Sequence, residues 1–285
     1  MRAAVIIPHY NDTARLVRCL AALTVQDLAE TEVVVVDNGS TEPLAALIAA
    51  HAAVRFVTEA RKGAANARNR GVAETTAPLL FFLDCDCLPA PDWLATAHRI
   101  APDADLIGGA IEVFDETPPP RNGAQAFEAV FAFDYRRYIE EKGFSVTANL
   151  LTNREVFTAT GPFVAGLSED LDWCHRARAK GYRLIVGEAL RVGHPSRSDW
   201  AALEKKWLRL TSEGFGVNGA SPGARLKWAV KAVLMPLSIV VHLPRILRSP
   251  KLNGMSERLA AIATLARLRF RRAGWMLRQA VGLAI

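Results

Sequence analysis

Cysteine is sparse in this chain of 285 residues, and its four thiols, Cys19, Cys85, Cys87 and Cys174, fit no zinc or haem spacing. A disulfide-stapled scaffold is excluded, and reduced thiols in a cytosolic protein are the expectation. Cys85-x-Cys87 alone is only a weak metal signal. A glycine-rich phosphate loop is missing too. The first apolar run ends at Pro8-His9-Tyr10-Asn11, with no G-x-G-x-x-G, which argues against a dinucleotide dehydrogenase. Long apolar runs are also absent from the C-terminal part. Its longest stretch free of Lys, Arg, Asp and Glu is Ala232–Pro244, 13 residues broken by Pro236. A bilayer span needs about 20. The opening MRAAVIIPHYND reaches charged and turn residues too early for a secretory signal core, so a cytoplasmic location is expected. Finally, acidic residues almost vanish from the tail. Arg225–Ile285 holds twelve Lys/Arg and one acid, Glu257, a net of +11, whereas the remainder holds 23 basic and 28 acidic residues, a net of −5. The overall +6 thus hides a mildly acidic body and a strongly basic appendage.

What is present is a globular α/β pattern, with 51% hydrophobic and 22% charged residues. Strands are predicted over Ala3–Ile7, Glu32–Asp37, Val54–Thr58, Leu79–Leu83 and Leu106–Val113. Helices alternate with them over Ala14–Leu23, capped from Asn11-Asp12-Thr13, over Pro43–His51 and Ala64–Ala73, and after Pro91. Such alternation predicts a sheet covered by helices on both faces, with ligands beyond the carboxyl ends of the strands. Pro8–Asp12, Asp37–Ser40 and Asp84–Asp86 all fall at such ends. The expected division is a catalytic body over 1–200 and a basic amphipathic helical region over 201–285.

Asp84-Cys85-Asp86 closes the buried run Leu80–Leu83 with two carboxylates one residue apart. Their repulsion raises both pKa values unless a cation neutralises them. Hard Mg²⁺ or Mn²⁺ does so and keeps positions open for phosphate oxygens. A solvated acidic turn before the next helix is the other reading, and these three residues alone do not decide between them.

Five stretches in order decide it: IIPHYND (6–12), VVVVDNGS (33–40), KGAANARNRG (62–71), FFLDCDC (81–87) and SEDLDWCHRARAKGY (168–182). Together they resemble family 2 glycosyltransferases, inverting enzymes of the GT-A fold, over roughly Met1–His194. The resemblance implies a nucleotide-diphosphate-sugar donor, UDP-linked most often, and a divalent metal, Mg²⁺ or Mn²⁺. By position, Pro8, Tyr10 and Asn11 would line the base pocket, and Asp37 would hold base or ribose, unless it only makes an Asx turn. Lys62 and Arg68 would complement the diphosphate. Asp84 and Asp86 match the DxD motif, with Asp84 toward the ribose or the metal and Asp86 toward the metal; Cys85 at its centre is a departure, because that family often has a third acid there. Asp170 would be the catalytic base, with Glu169, Trp173 and Arg176 on the acceptor side, although Trp173 suits a core equally well and Glu169-Asp170 would cap a helix in any protein. Asn149–Leu151 and the following helix, capped by Asn153, resemble the acceptor-side segment. His194 falls where relatives complete the metal site, or it is structural.

Glu204-Lys205-Lys206-Trp207 is not the Gln-x-x-Arg-Trp signature of the processive synthases, so transfer of one sugar is expected. The acceptor would be a sugar or lipid-linked hydroxyl, in cell-envelope glycan or glycolipid synthesis. Two alternatives stand beside this reading. One is a nucleotide-sugar binder without turnover. The other is a nucleotidyltransferase, which Pro8–Asn11 disfavours because such enzymes carry a glycine-rich loop there. In the tail, Leu226–Leu243 and Ser256–Arg272 combine apolar residues with Lys and Arg. That composition fits a helix lying on the cytoplasmic face of a membrane, a helical cap or a homodimer contact. Nucleic acid is disfavoured by the acidic body.

Overall fold

A computed structural model describes residues 1–166 and 168–285 and divides into two compact units. The first comprises Met1–Glu112 and Phe133–His194; the second comprises Val113–Ala132 and Pro195–Ile285.

The first unit begins with β1 (Ala3–His9), α1 (Thr13–Thr24), β2 (Thr31–Asp37), α2 (Ala45–Ala50), β3 (Val54–Thr58), α3 (Ala64–Ala73), β4 (Leu79–Leu83), β5 (Leu88–Pro89), α4 (Trp93–Ile100) and β6 (Leu106–Phe114). After α5 (Gly123–Phe131) it resumes with α6 (Tyr135–Glu140), β7 (Asn149–Asn153), α7 (Arg154–Thr160), α8 (Glu169–Ala179) and β8 (Leu184–Pro195). The sheet runs β3-β2-β1-β4-β7-β6-β8-β5. β3, β2, β1 and β4 are parallel, while β7 pairs antiparallel with both β4 and β6, so the sheet is mixed.

Period-two alternation explains why VVVV is buried on both sides. Val33 and Val35 join Leu16, Cys19, Leu20 and Leu23 of α1, while Val34 and Val36 meet Ala67 of α3. The α3 contact is close because Gly71 has no side chain: a Cβ there would stand 2.4 Å from Ile6 Cγ2. Asn149 is fully buried at the heart of this unit. It accepts from Trp93 Nε1 and donates to the carbonyls of Ala110 and Leu190, so its amide joins α4, β6 and β8. Asn149 therefore holds the core together rather than facing an acceptor.

Two helix starts differ from expectation. Asp12 makes no side-chain cap; its carboxylate takes Arg15 instead, and the Thr13 N–H is met by Glu42. Pro91 precedes Asp92, the N-cap of α4, and so lies outside the helix. Asn153 does cap α7, accepting from Val156 N at 2.8 Å.

The second unit contains α5, then α9 (Trp200–Asn218), α10 (Pro222–Leu234), α11 (Ser238–Leu247) and α12 (Gly254–Ala280). Its core gathers Phe127, Val130, Leu203, Ile246, Leu252, Leu265 and Leu268. Asn122 and Gln125 form a reciprocal capping box at the start of α5. Among the described residues no single helix is long and apolar enough to cross a membrane; α10 and α11 reach that composition only as a pair bent by 50°.

Candidate functional site

The parallel register sets His9 beside Asp37, so the loops after β1 and β2 start level. His9 is buried, and its Nε2 accepts the Asp12 N–H at 3.3 Å. The ring proton is therefore on Nδ1, which stands 3.4 Å from Asp37 Oδ1 and 3.3 Å from Ser40 Oγ. Burial acts to raise the Asp37 pKa, but hydrogen bonds from Ser40 and His9 outweigh it and bring it below the usual value. Asn11, in a left-handed conformation at φ 47°, ties the same two loops by accepting the Thr41 N–H. The sequence pointed to Asp37 and Asn11 but missed His9, which links Asp37 to the residues in front of it.

A third loop is latched onto these. The Asn38 amide donates to the carbonyls of Glu59 and Arg61 and accepts from Gly63 N. Lys62 then reaches back over the Tyr10 ring, 4.4 Å from its centroid, and donates to the Asn38 and Gly39 carbonyls. Gly39 suits this turn, since its φ of +74° lies in the left-handed region that favours glycine.

Beyond β4, Asp84, Cys85 and Asp86 complete the wall. Together with Pro8, Tyr10, Lys62 and Arg68 they line one cavity of about 620 Å³. Arg68 is buried, and its guanidinium is already divided between two acids: Asp84 Oδ1 at 2.6 Å and Glu169 Oε1 at 2.9 Å. That second bond brings the start of α8 to the cavity wall. Asp170, next to Glu169, accepts from Leu171 N and Ser168 Oγ. Burial, reinforced by the like charge of Glu169 and opposed by Arg68, pushes its pKa up to about 6.

At the other end of the Asp-Cys-Asp turn, β5 pairs antiparallel with β8, Leu88 opposite Gly193. This pairing carries His194 Nε2 to 3.3 Å from Asp86 Oδ2. Cys87, which the sequence left as a plain thiol, is the third member: donor atoms of Asp86, Cys87 and His194 all lie within 4.8 Å of one another. Burial, with the charges of Asp86 and Asp84 added, raises the pKa of both the Cys85 and Cys87 thiols well above the ordinary value. Asp86 and His194 offer a carboxylate and an imidazole, donors suited to Mn²⁺ and compatible with Mg²⁺.

Two residues expected on the acceptor side are built into the framework. Trp173 is fully buried, stacks on Phe157 and donates to the Gly161 carbonyl, so of its two roles it takes the core one. Arg176 bonds Asp172 and the carbonyls of Thr160 and Pro162, fastening α8 to the end of α7.

A family model described as glycosyl transferase family 2 matches residues 4–172. Among curated proteins, the chain is 28% identical over 215 residues to glycosyltransferase AglE of Haloferax volcanii, covering 72% of this chain and 70% of that protein. It spans 30–54% of the length of further curated relatives. Among solved structures, a mannosyltransferase of Pyrobaculum calidifontis in complex with GDP-Man and Mn²⁺ matches at a TM-score of 0.57 and 18% identity. That match covers 100% of this chain and 76% of the other. Residues 1–349 of S. aureus TarS, in complex with UDP-GlcNAc, match at 0.56 and 16%, covering 94% and 90%. At these identities the structures show a shared fold.

Proposed function

The chain belongs to glycosyl transferase family 2 and has the GT-A fold, and from that premise we propose that it moves one sugar, with inversion, from a UDP-linked donor to an acceptor hydroxyl. The observation that carries this reading is the convergence of Tyr10, Lys62, Asp84 and Asp86 on one cavity, with Arg68 linking that wall to Glu169-Asp170.

Each role follows from the chemistry of the side chain. Tyr10 supplies a ring for a base to pack on. Asp37, held ionised by Ser40 and His9, accepts hydrogen bonds from sugar or base donors. Lys62 offers an ammonium to the diphosphate. Asp86 and His194 would hold the divalent metal, as the bound Mn²⁺ of the mannosyltransferase neighbour encourages. When bound, the metal stabilises charge on the departing diphosphate. Asp170 takes the acceptor's proton. A carboxylate with its pKa near 6 is ionised at neutral pH yet a stronger base than an ordinary aspartate, and such a group contributes about 10²–10⁴-fold. The neutral thiol of Cys85 adds no third charge to the turn.

Thermal shift with UDP, GDP, dTDP and CMP, each with Mn²⁺, tests the donor. A ligand that binds only the native state raises the midpoint with the logarithm of its saturation. UDP giving the largest rise, lost in Asp86→Ala, is expected. A larger rise with GDP would overturn the base assignment, and no rise with any nucleotide would overturn the donor site.

A further inference from the structure

The outward face of α10 and α11 is apolar where a water-facing helix carries charge. Leu226, Val230 and Val233 recur at helical spacing on α10, Leu237 follows in the turn, and Val240 and Val241 lie on α11. These six are 51–75% exposed. The opposite face is apolar as well, but occupied: Trp228 packs with Met276, and Ile246 with Leu265 and Leu268. The pair thus has apolar residues on two faces, one of them already committed to α12.

The charge around the stripe has one sign. Between Glu213 and Glu257 the chain holds Arg225, Lys227, Lys231, Arg245, Arg248 and Lys251 and no acid. A symmetric contact with a second copy through this face would set those cations against their own duplicates, which is unfavourable. An anionic surface is the complement. Neither helix is long enough to span alone, and packing opposes spanning by the bent pair. Helices of 13 and 10 residues rise only about 20 and 15 Å, against a hydrocarbon core of about 30 Å. Drawing both helices across would also strip Trp228, Ala232 and Ile246 from their partners.

We propose that the α10–α11 stripe lies in the plane of an anionic phospholipid leaflet, its valines and leucines below the headgroups and its Lys and Arg among them. This surface is independent of the donor chemistry, so either can fail without the other.

Flotation of the full chain with vesicles of phosphatidylcholine, with or without 30% phosphatidylglycerol, tests it. The expected result is binding to the anionic vesicles alone, weakened by salt. Val233→Glu/Val240→Glu/Val241→Glu, at exposed positions, should reduce it by more than about tenfold while thermal midpoint and UDP shift stay put. Lys227→Gln/Lys231→Gln/Arg248→Gln should reduce it by about 10- to 100-fold at low salt. Failure of the parent chain to float, or flotation equal in the triple-glutamate variant, would overturn the proposal. So would a sedimenting dimer that the triple-glutamate change dissolves, since a second copy would then be the occupant.

Discussion

Two acids show how differently the two units treat buried charge. Glu128, on α5 of the helical unit, is 1% exposed and faces Lys206 at 2.6 Å and Arg197 at 3.4 Å. Burial acts to raise its pKa, but the two cations outweigh burial and hold it below the usual carboxylate value. Asp170, on α8 of the sheet unit, is partly buried, and the acid beside it adds to the effect, so the pKa climbs to about 6. One carboxylate is matched by its surroundings and stabilises the native state. The other is held against electrostatic preference, which is expected where a side chain serves chemistry rather than folding.

The largest effect that could break this contrast is Asp170→Asn. Transfer should fall by about 10²–10⁴-fold while the UDP–Mn²⁺ thermal shift remains. The variant should nonetheless be more stable at pH 8 by about 1–3 kcal/mol in chemical denaturation. The sign follows from linkage. The native state holds the Asp170 proton more tightly than the unfolded chain, so stability is lost as pH rises from 3.8 toward 6 and the penalty persists above. The gain from asparagine should vanish near pH 4. Unchanged turnover, or a destabilised variant at pH 8, would remove the distinction between the two acids.

Glu128→Ala should do the reverse. It strands Lys206 and Arg197 and should cost about 3–5 kcal/mol at pH 7, with turnover per folded molecule unchanged. Because the folded pKa is lowered, this stabilisation is complete above the unfolded value of 4.5 and disappears as pH falls through the folded value. The two stability differences therefore bend in opposite directions with pH, which a pair of denaturation series would show.

Arg68→Gln sharpens the comparison from the cleft side. Arg68 is the positive charge opposing the rise at Asp170, so its removal should carry the acidic limb of kcat/KM to higher pH. Activity should then drop several-fold more at pH 6 than at pH 8. An equal drop at both would mean that Arg68 acts on binding alone.

Much of the sheet could be read directly, because burial on both faces leaves a continuous β-branched run and the strand ends carry turn residues. Val33–Val36 and Asp84–Asp86 stood where expected. What stayed hidden depends on pairing across long separations. Arg68 and Glu169 lie 101 positions apart, and His194 reaches Asp86 only because β5 pairs with β8. Cys87 joins that cluster beside Asp86 once His194 is brought in, which a scattered cysteine does not announce. His9 gains its neighbour Asp37 only through the β1–β2 register, 28 positions away. Trp173 lay on a helix with acids in its first turn, and nothing local told a sugar platform from a core residue. The packing of Asn122–Phe131 with C-terminal helices likewise has no local sign.

The smallest predicted effect uses one substitution twice. Gly71→Ala places a methyl 2.4 Å from Ile6 Cγ2 and 3.2 Å from Val36 Cγ2, in the layer where α3 meets the strands that end at the cleft. Overpacking there costs about 1–3 kcal/mol, more than the 0.5–1 kcal/mol or so that alanine returns in a helix. A net loss of about 1 kcal/mol is expected. Gly274→Ala on α12 meets nothing within 4 Å, so only the helix preference remains and a gain of about 0.5–1 kcal/mol is expected. Opposite signs in urea denaturation would show that the sheet unit is close-packed at the floor of its site, while the outer face of α12 has room to spare. A stabilising Gly71→Ala would mean that α3 can lift from β1, and the loop carrying Lys62 would then not be held by packing.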